Sequence, residues 1–248
     1  MGPSNDTLDR DAVAFIEDLA ARSVGTGLEH TWYCIAGCAF AACNEAKYVA
    51  EIFTVAIRSH ENDTDFQKTI LHRMKESLLK TGVIFGIPRL INAIRALIVA
   101  APSPELHSTP PTSTPSRRTL TPSQADDRGL PYMRNIFRAD LDPFLALMDA
   151  YCPDLRNLVV TTIYGVYQSD VSVLDAVTTS QLNIATLVPM DVPGEVAWHM
   201  RGTIRNGGSR EQLEAAYGIA VDVCRVCGVV LRNEMPRPDD VVEAERLF

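Results

Sequence analysis

Apolar residues in this chain recur at steps of three and four and almost nowhere at steps of two. Ala12, Phe15, Ile16, Leu19 and Ala20 follow that spacing, as do Val49, Ile52, Phe53, Ala56 and Ile57. This period lays one apolar stripe along an α-helix, so the pattern predicts an all-α protein in which each helix buries one face. Further helices are predicted over 31–43, 47–59, 65–81, 88–100, 132–150, 154–168, 171–188, 193–206 and 209–231. Asp11 reads as the cap or first-turn acid of the first helix, Asn206-Gly207-Gly208 as a stop, and Ser209 as the cap of the last. The run NLVVTTIY, from Asn157 to Tyr164, is the one stretch whose β-branched residues suit a strand as well.

Residues 102–129, PSPELHSTPPTSTPSRRTLTPSQADDRG, are crowded with Pro, Ser and Thr and hold few large apolar side chains. Such a segment buries too little surface to offset the entropy of ordering it, so it is expected to be a flexible linker, with Arg117-Arg118 solvating it. The chain then divides into a first helical unit over 1–101 and a second over 130–248. The two resemble each other. NEAKYVAEIFTVAI from Asn44 and DVPGEVAWHMRGTI from Asp191 align without a gap at an offset of 147 positions, matching Val49-Ala50 to Val196-Ala197 and Ile57 to Ile204. Two tandem helical repeats packed as one unit are the expected architecture, each burying its apolar face against its twin.

A net charge of −8 and a pI near 5.1 argue against a nucleic-acid partner, since phosphate contacts need clustered Lys and Arg. No apolar run is long enough to span a bilayer, and MGPSNDTLDRD lacks the apolar centre of a signal peptide. A cytoplasmic protein without a membrane role is expected. With 248 residues and 46% hydrophobic content the core needs no disulfide staples, so the six cysteines are read as reduced thiols.

The segment TTSQLNIATLVPMDVPGEVAWHMRGTIRNGGSREQLEAAYGIAVDV resembles the carboxymuconolactone decarboxylase and alkylhydroperoxidase D superfamily. It has that pattern of an apolar helix, a break, a helix carrying His199, then Asn206-Gly207, Ser209, Glu211 and Leu213. ESLLKTGVIFGIPRLINAIRAL, with Gly86, Ile87, Pro88, Asn92 and Ala93, looks like a later part of the same domain. The resemblance implies an all-helical fold, a small-molecule substrate and homo-oligomers. In the peroxidase branch the site is Cys-x-x-Cys-x-x-x-His with an upstream Glu; anchored on His199, those places hold Val192, Glu195 and Ser180. A thiol relay cannot run through Val and Glu, so the family's redox chemistry is not expected at this position.

What remains at the motif is Glu195 and His199, four apart and so on one helix face. A carboxylate beside an imidazole raises its pKa and orients it, which suits proton transfer to a lactone or keto acid. The same pair also reads as an ordinary surface contact. Trp198 and Ser180 are candidate lining residues. Arg201 and Arg205 suit a substrate carboxylate, or equally a solvated face or a pairing with Glu214. In the first unit the matching places are Glu45, Tyr48 and Ile52, so any site there would use Glu45 and Tyr48.

Cys224-Arg-Val-Cys227 has redox spacing but no accompanying ligand pair, and Cys34 and Cys38 read as small core residues. No His spacing, phosphate loop or nucleophile elbow points to a metal or nucleotide cofactor, and none is expected. The sequence thus favours a cofactor-independent acid-base enzyme, with a non-catalytic helical scaffold as the alternative and a thiol peroxidase behind both.

Overall fold

The computed structural model describes the backbone of residues 5–101, 103–108 and 114–245, and among them there is no strand. The helices are α1 (Asn5–Arg22), α2 (Trp32–Ala42), α3 (Ala46–Ile57), α4 (Thr64–Phe85), α5 (Ile87–Ala100), α6 (Thr114–Thr119), α7 (Pro122–Phe137), α8 (Leu141–Tyr151), α9 (Pro153–Arg156), α10 (Ala176–Leu187), α11 (Pro193–Arg205), α12 (Arg210–Val226) and α13 (Pro238–Glu245). The all-α expectation holds. Helix α1 already begins at Asn5, so Asp11 lies inside it rather than at its cap.

Helix starts follow local hydrogen bonding. Asp63 accepts from the backbone N–H of Phe66 at 2.9 Å ahead of α4, and Asp175 from that of Thr178 at 2.7 Å ahead of α10. Ser209 and Gln212 form a reciprocal capping box on α12, as Thr121 and Gln124 do on α7. Because Asp175 caps α10, the helix expected from 171 starts five residues later, and the one expected over 132–150 breaks where Arg138 turns to φ 47°.

Helices α2 and α10 form the centre. Every side chain of α2 and every one from Thr178 to Leu187 is buried, so neither helix has a solvent face. In α2 the small residues of WYCIAGCAFAA permit packing on all sides. The two pack on each other, and each also meets the other half's long helix, α2 against α12 and α10 against α4. One core therefore draws on residues from both sides of the 102–129 segment. After α2 and after α10 the chain turns through a left-handed residue, Asn44 with φ 65° and Asp191 with φ 60°. Asn and Asp tolerate that conformation best among residues with a side chain.

The 102–129 segment is not the solvated linker its composition suggests. Residues 102 and 109–113 lie outside the described residues, but Leu106 is buried, α6 carries Arg117 into the interior, and α7 begins at Pro122 with Ala125 and Gly129 buried. Composition misjudged its described part because a few anchors on an existing core suffice to order that part.

The β-branched run that suited a strand is helical of an uncommon kind: α9 runs directly into π-helical turns over Asn157–Gln168. Wide π turns of this length are rare and recur at functional sites. They cross α7 at backbone contact, where a Cβ on Gly165 would lie 2.5 Å from the carbonyl oxygen of Ala125 and one on Gly129 would lie 2.8 Å from the nitrogen of Gly165. Backbone cannot yield as a side-chain end can. Gly165→Ala is therefore expected to destabilise the protein by about 3 kcal/mol, the upper part of the range for overpacking, read as a lower urea midpoint at unchanged slope. Equal midpoints would refute the close crossing.

Candidate functional site

His199 sits on α11 where the main core meets a smaller cluster built from α7, α8 and the π-helix. It is 6% exposed, and its partners are not the ones its sequence neighbours suggest. Asn183 of α10 approaches Nδ1 at 3.2 Å, and the hydroxyl of Tyr164 approaches Nε2 at 3.5 Å. Glu195, four residues earlier, is exposed and outside this network. The helix turns between them, so sharing one broad face did not give them one environment. The carboxylate expected to raise the imidazole's pKa does not do so; burial lowers it to about 4. At neutral pH His199 is uncharged.

The ring's proton can be placed by following the hydrogen bonds inward from a group with one role. The carbonyl of Lys80 can only accept, so the Gln168 nitrogen that reaches it at 2.8 Å is a donor. That nitrogen also donates to Oδ1 of Asn183 at 3.1 Å, while Nδ2 of Asn183 donates back to Gln168 at 2.8 Å. The second hydrogen of Asn183 Nδ2 then points at Nδ1 of His199. Nδ1 is the acceptor, and the proton of the neutral imidazole is on Nε2, facing Tyr164.

Two tyrosines complete the site. Tyr164 comes from the π-helix and Tyr132 from α7, with ring centroids 6.3 Å apart. Burial pushes both hydroxyls well above the ordinary tyrosine pKa, so both keep their protons. The Tyr132 hydroxyl faces Thr179 and Ser180 without a hydrogen bond of good geometry and is left unpartnered in the interior. The Nε2–H and the Tyr164 phenol thus face each other, and the Tyr132 phenol lies beside the Tyr164 ring on the side of Thr179 and Ser180.

Beneath it lies a charged layer. Lys80, fully buried, donates to the carbonyls of Tyr167 and Gln168 at 3.1 and 2.9 Å, and Arg128 donates to those of Gly165 and Val166 at 2.9 and 2.8 Å. These are the last carbonyls of the π-helix and carry the negative end of its dipole; that of Tyr167 also accepts the backbone N–H of Asp170 at 3.3 Å. Arg117 adds a contact from Nε to Val166 and holds Glu76 through its two terminal nitrogens, with Asp170 at 3.4 Å from Nε. Burial lowers the Lys80 pKa to about 8, with Glu76 opposing the shift. The cations fix the end of the helix that carries Tyr164 and Gln168, and so hold the site.

The other candidate residues are distributed differently from expectation. Ser180 is fully buried next to the site and accepts from Asn206 at 3.2 Å. Trp198 packs on Phe137 and Phe144 and donates to Asp140 at 3.3 Å. Arg201 also lies on Asp140, at 3.7 Å, and Arg205 pairs with the buried Glu245 while Glu214 pairs with Arg210. Both arginines are therefore occupied by carboxylates of the chain. Glu45 and Tyr48 lie at the start of α3, where the Tyr48 ring packs 5.0 Å from Phe40 under Lys47. The positions 147 residues before His199 and Asn183 are Ile52 and Ala36, both buried and apolar, so the first half lacks the equivalent network.

No family model matches the sequence. The chain is similar to the protein named Peroxisomal protein 2 of Saccharomyces cerevisiae, 25% identical over 255 aligned residues that span 82% of this chain and 90% of that protein. It is also similar to Peroxisomal protein 2 of Schizosaccharomyces pombe, 26% identical over 203 residues with the same shares covered. No solved structure matches. Two relatives named for the peroxisome overturn the cytoplasmic placement expected from the sequence. No described helix is long and apolar enough to cross a membrane.

Asn183, Tyr164, Gln168 and Tyr132 were not among the sequence candidates. One signal for Asn183 was present: TTSQLNIAT sets polar residues all around a helix, which has meaning only if the helix is buried and its polar groups find partners.

Proposed function

We propose that the chain is a cofactor-independent acid-base enzyme, of lyase or isomerase type, acting on a small organic acid, lactone or polyketide-derived compound in the peroxisome. The observation that carries this reading is a buried, neutral histidine whose tautomer is set by Asn183 and whose Nε2–H faces Tyr164, with the unpartnered hydroxyl of Tyr132 one ring away. Neutral donors in a dry site stabilise an oxyanion developing on a carbonyl more strongly than they bind the neutral ground state. With Nδ1 engaged, His199 works from Nε2 as a neutral hydrogen-bond donor to the developing oxyanion rather than as the base that pairing with Glu195 would have made it. The resemblance to carboxymuconolactone decarboxylases supports the same class, and homo-oligomers come with it. The names of the two yeast relatives support the peroxisome.

Duplication of one helical unit belongs to the same reading. Asn44 and Asp191, 147 positions apart, take the same left-handed turn, and α2 and α10 meet each other's half reciprocally. The first half then serves as the packing partner of the second.

Full-length protein incubated with a panel of β-keto acids and lactones, followed by NMR for decarboxylation or ring opening, tests the proposal. His199→Gln is expected to lower kcat/KM about 10²- to 10³-fold, the usual cost of removing one donor to a developing oxyanion, with Glu195→Gln close to wild type. Undiminished activity in a folded His199→Gln protein would end the acid-base reading. A second reading, a helical scaffold, is favoured by the complete hydrogen bonding of Gln168 and Asn183, and it gains if no panel compound is turned over.

A further inference from the structure

His199 is buried, so a compound that meets its Nε2–H needs a way in. On the Tyr164 side the cover is aromatic. Phe137 stands edge-on to Tyr164 with ring centroids 5.8 Å apart, and Trp198 and Phe144 lie 5.1 and 5.9 Å from Phe137 on their own sides of it. The Phe144 ring is inclined to that of Phe137 by only 23° and is 5.7 Å from Trp198. Phe144 and Trp198 are half-buried, so this stack of rings reaches the surface.

Phe144 belongs to α8, which is held loosely. Only Leu141 and Met148 on it are fully buried, seven residues apart and so on one inner face. Its main packing partners are α7, α9 and the 3-10 turn Arg138–Asp140, all outside the central pair of helices. The chain breaks on both sides of α8. Before it Arg138 takes φ 47°, uncommon for a residue with a side chain, and after it Cys152 is extended ahead of Pro153. The polar ties across these breaks are at the surface, Arg134 to Asp142 at 2.7 Å and Trp198 and Arg201 to Asp140 at 3.3 and 3.7 Å. Water and salt weaken such ties.

We propose that α8 is a lid over the His199 site, and that a planar conjugated ring takes the place of the Phe144 ring on Phe137 and Trp198 when the lid swings away about Arg138 and Cys152. A short helix bounded by single-residue breaks moves as a body, with the change in φ and ψ absorbed at its ends. Phe144 covers the wall when no ligand is present and keeps its apolar face out of water. The wall selects a flat, unsaturated ligand, because offset and edge-on contacts between π systems add to the burial of area. It is the outer subsite, one ring removed from Tyr164, and holds the apolar part of a substrate whose carbonyl is left for the inner donors. That last assignment rests on the reading of His199 given above; the lid and the wall do not.

Limited peroxide oxidation of the full-length protein, followed by peptide mass spectrometry, reads the lid through the methionine on its inner face. Met148, Met74 and Met200 are all buried, whereas Met190 is 40% exposed. Met148 is expected to form its sulfoxide at least about tenfold faster than Met74 and Met200, since a weakly packed element opens without global unfolding. Saturating coumarin, a flat two-ring lactone, is expected to raise the Met148 rate toward that of Met190 while Met74 and Met200 stay slow. By titration calorimetry, Trp198→Ala is expected to weaken coumarin binding about tenfold and Phe144→Ala to tighten it by a similar factor, the worth of one aromatic contact. Met148 as slow as Met74 and Met200 would overturn the lid. Coumarin that does not bind, or that binds equally well to Trp198→Ala, or less tightly to Phe144→Ala, would overturn the wall. If lid and wall both hold while every lactone and keto acid of the panel stays unconverted, the catalytic reading alone falls. The methionine comparison uses the unaltered chain, so a variant that fails to fold leaves the test intact.

Discussion

Arg117→Met is expected to destabilise the protein by about 3–5 kcal/mol, the cost of removing one partner from a buried ion pair. Its guanidinium binds Glu76 through two nitrogens, and Glu76 and Asp170 are only 3% and 5% exposed. With Arg117 gone, Glu76 would remain charged in the interior or take up a proton, and either is unfavourable. The contact to Val166 at the end of the π-helix is lost as well, so Tyr164 and Gln168 lose part of what positions them. Arg118, next in sequence, is exposed, and Arg118→Met is expected to change stability by less than about 0.5 kcal/mol. Urea unfolding of the two variants provides the comparison, and equal midpoints would show that Arg117 does not anchor the segment.

Stability is expected to fall by about 3 kcal/mol between pH 6.5 and pH 4 through His199 alone. In the unfolded chain His199 takes a proton below about 6.5, whereas in the native state burial keeps it neutral down to about 4. Across that window the unfolded state binds more protons, so the native state loses stability as pH falls and has its full share above 6.5. The pKa of His72 is also lowered by burial and contributes in the same direction, which is why the readout is the difference between wild type and His199→Gln. That difference should grow as the solution is acidified and be flat above pH 7. Parallel stability curves would mean that His199 is hydrated in the native state.

The periodicity of three and four was enough to read an all-α fold, because burying one face of a helix is a local requirement that each segment records in its own residues. The caps at Ser209 and the stop at Asn206-Gly207-Gly208 were legible for the same reason. His199 was legible only through a family pattern, and its partner was misassigned. Spacing along α11 favoured Glu195, whereas the actual neighbours come from α10 and the π-helix, elements 16 and 35 residues away. Arg117 was hidden in the same way, since nothing in a Pro- and Ser-rich stretch records that Glu76 awaits it 41 residues earlier.

The chain's own pattern therefore decided that this protein is helical, where most of its helices begin and end, and that Cys34 and Cys38 are core residues. Only the tertiary structure decided which polar groups share the interior: a neutral His199 held by Asn183, and cations gathered at the end of a π-helix. Helix formation depends on contacts three and four residues apart, but desolvation and hydrogen bonding depend on what the other helices bring to the same place. For that reason the protonation state of His199 could be read in space and not along the chain.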